Sequence, residues 1–160
     1  CNTYKLKLNN NDNAQEVSEK LSLLAAEKIL ENLDEILEGK AKFTHQDHSS
    51  ATYAKKILKI EGQINWNDDV SKIIGKINGL FPNPGAYFNF NGERYKILKA
   101  EIGSGVGKIG EVLSDRLEIA CGNNQSIKIL KIQRQGKKTQ KIEEFLLGSK
   151  IKKGLIISNA

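Results

Sequence analysis

The chain has 160 residues, no methionine, 39% hydrophobic residues and a formal net charge of +6. This length allows one domain, or one domain with an appendage, and the modest apolar content favours a small, well-solvated domain over a large enzyme core. No apolar run approaches the ~20 residues of a membrane-spanning helix, and the polar start does not read as a signal peptide.

Charge is distributed unevenly along the chain. Residues 1–40 contain five Lys and eight Asp or Glu, a net charge of −3, whereas residues 41–160 contain 20 Lys or Arg and 11 Asp or Glu, a net charge of +9. A cationic domain favours a polyanionic partner, because binding releases the counterions condensed on the polyanion. The same composition is also typical of a soluble, Lys-rich protein from an AT-rich genome, so charge alone leaves nucleic-acid binding open.

The first 39 residues predict part of a domain. Residues 3–8 alternate in the manner of one strand, and Asn13 with Glu16 predicts a capping box at a helix start. Apolar residues at helical spacing then continue to Leu37, with Gly39 expected just beyond the helix end. A strand and one amphipathic helix cannot bury their own apolar face. Because the chain also begins at Cys1 without a methionine, we expect a fragment whose first 39 residues are the tail of a larger domain.

Residues 40–60 predict a polar, basic linker, and residues 61–160 predict a compact second domain. Asn67 or Asp68 is expected to cap a helix whose apolar face includes Ile73 and Ile77, and Gly79 and Pro82 are expected to end it.

Alternating segments at 87–90, 95–100, 109–113, 116–121 and 126–133 predict five strands. Asn91-Gly92 favours a type I′ hairpin turn, and residues 103–107 predict a flexible loop. Thr139 is the expected cap of a short closing helix that ends at Gly148. Five short antiparallel strands with added helices predict an α+β fold that is mostly β, a small OB-like barrel with a leading and a closing helix.

Two motifs that suggest chemistry are better explained by structure. Gly105, Gly107 and Gly110 match the G-x-G-x-x-G spacing, but a strand is predicted where a dinucleotide site needs a helix. The pair Gly107-Lys108 lacks the Ser or Thr of a phosphate-binding loop. We therefore predict a hairpin loop and no nucleotide site.

Metal, thiol and general-base chemistry also find little support. His45, Asp47 and His48 have neither the spacing of a zinc site nor a second cluster of ligands, and both histidines lie in the predicted linker. Cys1 and Cys121 show no C-x-x-C spacing, which favours a reduced, cytoplasmic protein although a disulfide stays open. We expect no catalytic, metal-binding or cofactor-binding residue in this chain.

Basic residues are the remaining candidates for function. They occur in the linker, the last long strand, the loop after it and the C-terminal tail, and the candidate nucleic-acid contacts are Lys55, Lys56, Lys59, Lys128, Lys131, Arg134, Lys137, Lys138, Lys150, Lys152 and Lys153. If they converge on one face of the barrel, they would follow a phosphate backbone. Alternatively, lysines at exposed strand edges keep those edges soluble and unpaired.

Aromatic residues allow two interpretations. Tyr87, Phe88, Phe90 and Tyr95 have rings that can stack on bases, but in a barrel hairpin most of them are expected to be core or cross-strand pairs. Trp66 is predicted to be a core anchor at the domain entrance.

Two separated blocks of sequence resemble one family. The first block contains Ala51-Thr52-Tyr53-Ala54, Lys56-Ile57, Ile64-Asn65-Trp66 and Pro82-Asn83-Pro84-Gly85-Ala86, and the second contains Gly136-Lys137-Lys138, Glu144-Phe145-Leu146 and Gly148. In this order they resemble the linker and C-terminal domain of the methionyl-tRNA formyltransferase family, with Asn65 in place of the usual Asp and Asn83 in place of the usual Trp.

The resemblance implies a division of labour. Residues 1–39 would be the last strand and helix of the α/β catalytic domain, 40–60 the linker and 61–160 the barrel. Members of the family move a formyl group from 10-formyltetrahydrofolate to methionyl-initiator tRNA, with an Asn, a His and an Asp in the upstream domain. No position here matches those residues, so the chain alone is expected to be an inactive monomer that binds tRNA and no folate.

Two alternatives remain at this stage. The chain resembles, less well, the C-terminal domain of a sugar-nucleotide formyltransferase, although that class has less reason to carry the block Gly136 to Lys138. The other alternative is a non-catalytic OB-type nucleic-acid-binding module or a gene remnant. Residues 3–38 argue against a self-sufficient module but not against a remnant.

Overall fold

The structure is a computed structural model that describes residues 2–159. Its contacts divide the chain into two compact units, Cys1–Lys56 and Ile57–Ala160. The three-part division at residues 39 and 60 stays a prediction. Within residues 2–159, no helix combines the length and apolarity needed to cross a membrane.

The first unit contains helices α1 (Ala14–Glu31) and α2 (Leu33–Leu37). The predicted capping box is confirmed, since Glu16 N donates to Asn13 Oδ1 and Asn13 N donates to Glu16 Oε2, each at 3.0 Å. The prediction of one continuous helix is wrong. Asn32 interrupts it by donating from Nδ2 to the Lys28 carbonyl at 2.7 Å, and a side chain bonded to the preceding turn competes with the helical backbone.

Residues 3–8 do not form the predicted strand. A strand needs a hydrogen-bonded neighbour, and no described strand pairs with this segment. The two helices also leave apolar side chains uncovered, with Leu23 72% and Leu30 70% exposed. The described residues of this unit therefore do not bury their own apolar surface.

The second unit contains α3 (Val70–Gly79), α4 (Ile142–Leu146) and five strands. The strands are β1 (Ala86–Phe90), β2 (Glu93–Ile102), β3 (Glu118–Cys121), β4 (Gln125–Arg134) and β5 (Gln140–Lys141). They form one antiparallel sheet in the order β1-β2-β4-β3, with β5 also paired to β4. The predicted antiparallel, mostly β fold is confirmed, and so is the Asn91-Gly92 turn, with φ angles of 51° and 77°.

Hydrogen bonds beyond the named strands continue the sheet at the β1 edge. Ile64 N donates to the Tyr87 carbonyl at 2.8 Å, which places the segment before α3 beside β1. Asn159 Oδ1 accepts from Trp66 N at 2.7 Å, so the end of the chain joins the same segment. A barrel-like ring needs such a bridge between its first and last segments.

The β3 edge is extended in the same way. Ala120 N donates to the Glu111 carbonyl at 2.9 Å, and Val112 N donates to the Leu155 carbonyl at 2.8 Å. The last segment therefore runs beside residues 111–112 and reaches Asn159. These bonds pair backbone groups that an open sheet edge would leave exposed.

Aromatic rings fill the centre of this ring of segments. Trp66 is fully buried, as predicted, and its ring lies 5.8 Å from that of Phe88. Phe88 stacks on Tyr95 at 5.4 Å, and Tyr95 meets Phe145 of α4 edge-on at 5.8 Å. α3 adds Ile73, which is 1% exposed. Most of the predicted stacking aromatics are therefore core residues.

Helix starts differ from the predicted positions. α3 is capped by Asp69, whose Oδ1 accepts from Lys72 N at 2.8 Å, whereas Asp68 binds the Lys72 ammonium at 2.6 Å. α4 begins after Lys141 and not after Thr139, because β5 extends β4 pairing as far as Lys141.

The predicted third and fourth strands also change. Residues 109–113 make only isolated bridges, at Glu111 and Val112. β3 begins at Glu118 because Leu117 adopts a positive φ of 54°, which a regular strand does not allow. The loop predicted to be flexible is held in place: Ser104 N and Gly105 N donate to Glu118 Oε1 at 2.9 and 2.7 Å.

Candidate nucleic-acid interface

Three lysines lie side by side on the outer face of the sheet. The strand register pairs Lys99 of β2 with Lys131 of β4, and Lys131 with Lys141 of β5. All three side chains are exposed. Neighbouring strands lie about 4.8 Å apart, so three positive charges cross the sheet within about 10 Å. We call these three residues the lysine row.

Two bulges create the lysine row. The register passes from Ile97–Ile132 to Lys99–Lys131 and then to Ala100–Ile129, so Leu98 and Leu130 are each left without a partner. An extra residue in one strand shifts which side chains face outward. Lys99 and Lys131 therefore point to the same face, although the bulged residues Leu98 and Leu130 precede them and interrupt the alternation of each strand.

The charges of the lysine row are not balanced by acidic side chains. Among residues 2–159, no ion pair includes Lys99, Lys131 or Lys141. Like charges directly opposite each other destabilise a sheet. A bound anion would relieve this repulsion, so the lysine row is the candidate polyanion site that the register of the described strands supports best.

Lys128, a predicted contact, has a different environment. It is half-buried and lies opposite Glu101 on β2 and opposite Glu118 on β3. Burial raises the pKa of Glu118, but hydrogen bonds from Ser126, Gly105 and Ser104 outweigh this effect and, with the charge of Lys128, leave the pKa below its ordinary value. Lys128 thus has an acidic residue opposite it on each neighbouring strand, although no ion pair among residues 2–159 includes it.

Arg134 and Lys150 form a second group near α4. Arg134 Nη2 pairs with Glu93 Oε1, and Tyr95 OH donates to Glu93 Oε2 at 2.8 Å. The Arg134 hydrogen bond, followed by that of Tyr95, lowers the pKa of Glu93, and the charge of Lys150 contributes. Burial and then the bond to Glu93 raise the pKa of Tyr95 to about 12. By strand alternation Arg134 lies on the core side, away from the lysine row.

The remaining predicted contacts are exposed. Lys137 and Lys138 lie in the loop between β4 and β5, where Gln133 Nε2 donates to the Lys137 carbonyl at 2.9 Å. Lys152 and Lys153 follow the buried Ile151. The others are exposed in different units: Lys55 and Lys56 in the first, and Lys59 in the second.

Sequence reasoning missed Lys99, Arg94 and Lys96 as interface candidates. It left Lys141 out of the list of contacts, although this lysine follows Lys137 and Lys138 in the same basic segment. Arg94 and Lys96 alternate with core residues of β2, a signal present in the sequence. Lys99 and Lys141 gave no such signal. Their position beside Lys131 depends on the bulges and on the pairing of β5, which only the register reveals.

The residues that were considered for metal or thiol chemistry have structural surroundings. Asp47 binds the hydroxyls of Ser49 and Ser50 at 2.6 and 2.7 Å. Burial raises the pKa of the unpaired Cys121 thiol to about 11, so it is protonated at neutral pH. Cys1 lies outside the described residues. Over residues 2–159, no group of three or more His, Cys, Asp or Glu residues has the geometry of a metal site.

Comparisons with known proteins agree with the barrel fold. Residues 56–150 match the profile of the family "Formyl transferase, C-terminal domain". The crystal structure of HypX from Aquifex aeolicus, in a multiply substituted variant, matches over 92% of this chain and 28% of HypX, with a TM-score of 0.70 and 19% identity. At that identity the likeness concerns the fold. HypX crystallised with tetrahydrofolic acid matches with a TM-score of 0.63, 21% identity, and coverage of 81% of this chain and 24% of HypX.

Curated relatives are more similar in sequence. Methionyl-tRNA formyltransferase of Pelagibacter ubique is 61% identical over 99% of this chain and 51% of its own length. The enzyme of the same name from Rickettsia massiliae is 42% identical over 89% of this chain and 47% of its own length. The chain thus spans about half the length of these relatives. Because the family profile covers more than half of the chain, this protein belongs to the formyl transferase C-terminal domain family.

Proposed function

We propose that this chain is the tRNA-binding, C-terminal part of a methionyl-tRNA formyltransferase that works in the cytoplasm. The whole protein would transfer a formyl group from 10-formyltetrahydrofolate to methionyl-initiator tRNA. The names of the relatives support this substrate, and the lysine row of Lys99, Lys131 and Lys141 is the observation that carries the role of the barrel.

The row suits a phosphate backbone. Each lysine that neutralises a phosphate releases a counterion, so the binding should show little sequence preference and should depend strongly on salt. Stacking on bases is a poor alternative, because the exposed large apolar side chains among residues 57–159 are all aliphatic. In this proposal the barrel contacts the phosphate backbone of folded RNA and makes no base-specific contacts.

The other predicted lysines extend this interface in the proposal. Lys137 and Lys138 lie in the loop between β4 and β5, the two strands that carry Lys131 and Lys141. The proposed RNA contacts in the C-terminal tail are Lys150, Lys152 and Lys153. Those in the linker are Lys55, Lys56 and Lys59. Lys128 and Arg134 are the weaker candidates, since acidic residues lie opposite Lys128 in the sheet and Glu93 pairs with Arg134.

The barrel contributes affinity and orientation to the reaction. Holding the tRNA so that its aminoacyl end reaches a distant active site lowers the entropic cost of the encounter. The chain alone, a monomer in this proposal, is expected to show no formyl transfer and no folate binding. Transfer above a no-protein control would contradict this part of the proposal.

The test of the interface is charge neutralisation in the lysine row. Lys131→Gln combined with Lys141→Gln is expected to weaken binding of an initiator tRNA transcript, measured by fluorescence anisotropy at several salt concentrations. Losing two phosphate contacts should reduce the slope of log K against log salt by about 1.4 to 1.8. Lys99 is left intact so that the sheet keeps one lysine of the row.

The matched control removes two lysines whose charges are already balanced. Lys20 pairs with Asp12 at 2.7 Å, and Lys72 pairs with Asp68 at 2.6 Å. Lys20→Gln combined with Lys72→Gln changes the net charge equally and should leave the salt slope unchanged. Equal slopes for both double variants would mean that general charge, and not this face, attracts the RNA.

A further inference from the structure

The guanidinium group of Arg94 lies over an aromatic ring on the outer face of the sheet, apart from the lysine row. The Arg94 Cζ atom lies 4.1 Å from the centroid of the Tyr87 ring. Tyr87 is only 4% exposed, whereas Arg94 is exposed. An Arg stacked on an aromatic ring keeps its N–H edge free while its plane is fixed.

The surroundings explain why the Tyr87 ring is covered. It lies outside the hydrophobic core cluster, although Phe88 beside it belongs to that cluster. A Cβ atom on Gly62 would approach Tyr87 Cδ1 to 3.4 Å, so the segment before α3 packs against one part of the ring. Arg94 covers another part. The ring is therefore a rigid support.

The charge of Arg94 has no acidic partner. No ion pair among residues 2–159 includes it. Its sequence neighbour Glu93 is engaged by Arg134 and by the Tyr95 hydroxyl, and strand alternation places Glu93 on the other face. Lys96, on the same face as Arg94, adds a second positive charge; its Nζ lies 3.3 Å from the Pro82 carbonyl.

A stacked, unpaired guanidinium is preorganised for a phosphate. Two parallel N–H groups match two phosphate oxygens, a geometry that a lysine ammonium cannot offer. Because the Tyr87 ring already contacts the guanidinium group, less side-chain freedom is lost on binding. The usual alternative, a surface Arg that simply keeps the strand soluble, does not require the plane to be supported in this way.

We propose that Arg94, supported by Tyr87, is a bidentate anchor for a phosphodiester of the bound RNA. This inference rests on the proposed function. Arg94 and Lys99 are five residues apart on β2, and because Leu98 between them is bulged, they lie about 13 Å apart along the strand at about 3.3 Å per residue. They therefore hold different phosphates. Two separated points of contact define the direction of the RNA across the sheet, which one cluster of lysines does not do.

Substitutions that separate charge from geometry test the anchor. Arg94→Ala should lower the affinity for the tRNA transcript about tenfold and reduce the salt slope by about 0.7 to 0.9, because one phosphate contact disappears. Arg94→Lys should keep most of the salt slope, since the charge remains, yet lose most of the affinity that Arg94→Ala loses. Arg116, an exposed arginine of the turn before β3, supplies the control Arg116→Ala, which should change neither quantity.

Each outcome decides one of the two proposals. If Arg94→Lys binds like the unchanged protein, the group acts as a simple charge and the bidentate anchor is refuted. If Arg94→Ala has no effect while neutralising Lys131 and Lys141 does, the anchor is refuted and the lysine row stands. If neither set has an effect, both proposals fail. The tryptophan fluorescence of every variant should match that of the unchanged protein, because Arg94 lies outside the core.

Discussion

Removing the Glu118 carboxylate should destabilise the barrel strongly. Glu118 Oε1 accepts hydrogen bonds from Ser104 N at 2.9 Å, Gly105 N at 2.7 Å and Ser126 Oγ at 2.7 Å. Ser126 is fully buried and Glu118 is 8% exposed, so one acceptor joins the loop at 103–107 to the junction of β3 and β4. The change to test is Glu118→Ala.

The expected magnitude follows from what each donor loses. A buried donor left without a partner costs about 1–3 kcal/mol, which applies to the Ser126 hydroxyl. The loop amides of Ser104 and Gly105 regain water, so their loss is smaller and together about 1 kcal/mol. The total is about 3 kcal/mol, which with a urea m-value of about 1.5 kcal/mol/M shifts the unfolding midpoint by about 2 M.

The assay is urea unfolding followed by tryptophan fluorescence in the full chain. Trp66 is the only tryptophan and is buried in the barrel, so its signal reports this unit alone. Glu101→Gln is the matched control, because Glu101 also lies opposite Lys128 but accepts none of these loop hydrogen bonds. A midpoint shift for Glu118→Ala no larger than that of the control would refute the reasoning.

Acid provides a second readout of the same group. The pKa of Glu118 lies below its ordinary value in the folded protein. Its contribution to stability is therefore complete above the pKa of the unfolded chain, 4.5, and is lost as the pH falls through the lower folded value. Glu118→Gln should remove this part of the pH dependence, so the difference in stability between the two proteins should shrink as the solution is acidified below pH 4.5.

Three further predictions concern the barrel. Gly110→Ala should lower the free energy of unfolding by at least about 2 kcal/mol in the same urea assay, because φ is +79° and the new Cβ would lie 2.3 Å from the Ile157 carbonyl oxygen. Gly154→Ala, at φ +86° with open space around the new Cβ, should lower it less. Cys121 in a Cys1→Ser background should react slowly with a disulfide reagent at pH 8, because burial raises its pKa to about 11; fast reaction in the native state would contradict this. A chain lacking residues 1–40 should keep the cooperative tryptophan transition, and its loss would place the domain boundary elsewhere.

Local patterns in the sequence predicted much of the fold. Asn13 and Glu16 supply both halves of a capping box within four residues, and Asn91-Gly92 tolerates positive φ angles that few other pairs accept. Such signals depend on neighbours in the chain, so they can be read without the structure. The same holds for the alternation that predicts β1, β2 and β4.

Strand partners account for the predictions that were wrong. Residues 3–8 alternate like a strand but pair with no described segment, and residues 109–113 contribute only isolated bridges. A strand forms when another segment supplies its hydrogen bonds, and sequence alternation does not state whether one does. Asn32 shows the complementary case, since its side chain breaks a helix whose apolar spacing continues.

For the candidate interface, the sequence by itself predicted the class of partner. The net charge of +9 beyond residue 40 and the two family-like blocks already point to RNA. Only the tertiary structure decided which charges act together. The bulges at Leu98 and Leu130 align Lys99 with Lys131. Glu93 forms an ion pair with Arg134, and the Tyr87 ring lies under the Arg94 guanidinium group. The physical reason is that charge is a property of each residue, whereas its compensation depends on the register of strands that are distant in sequence.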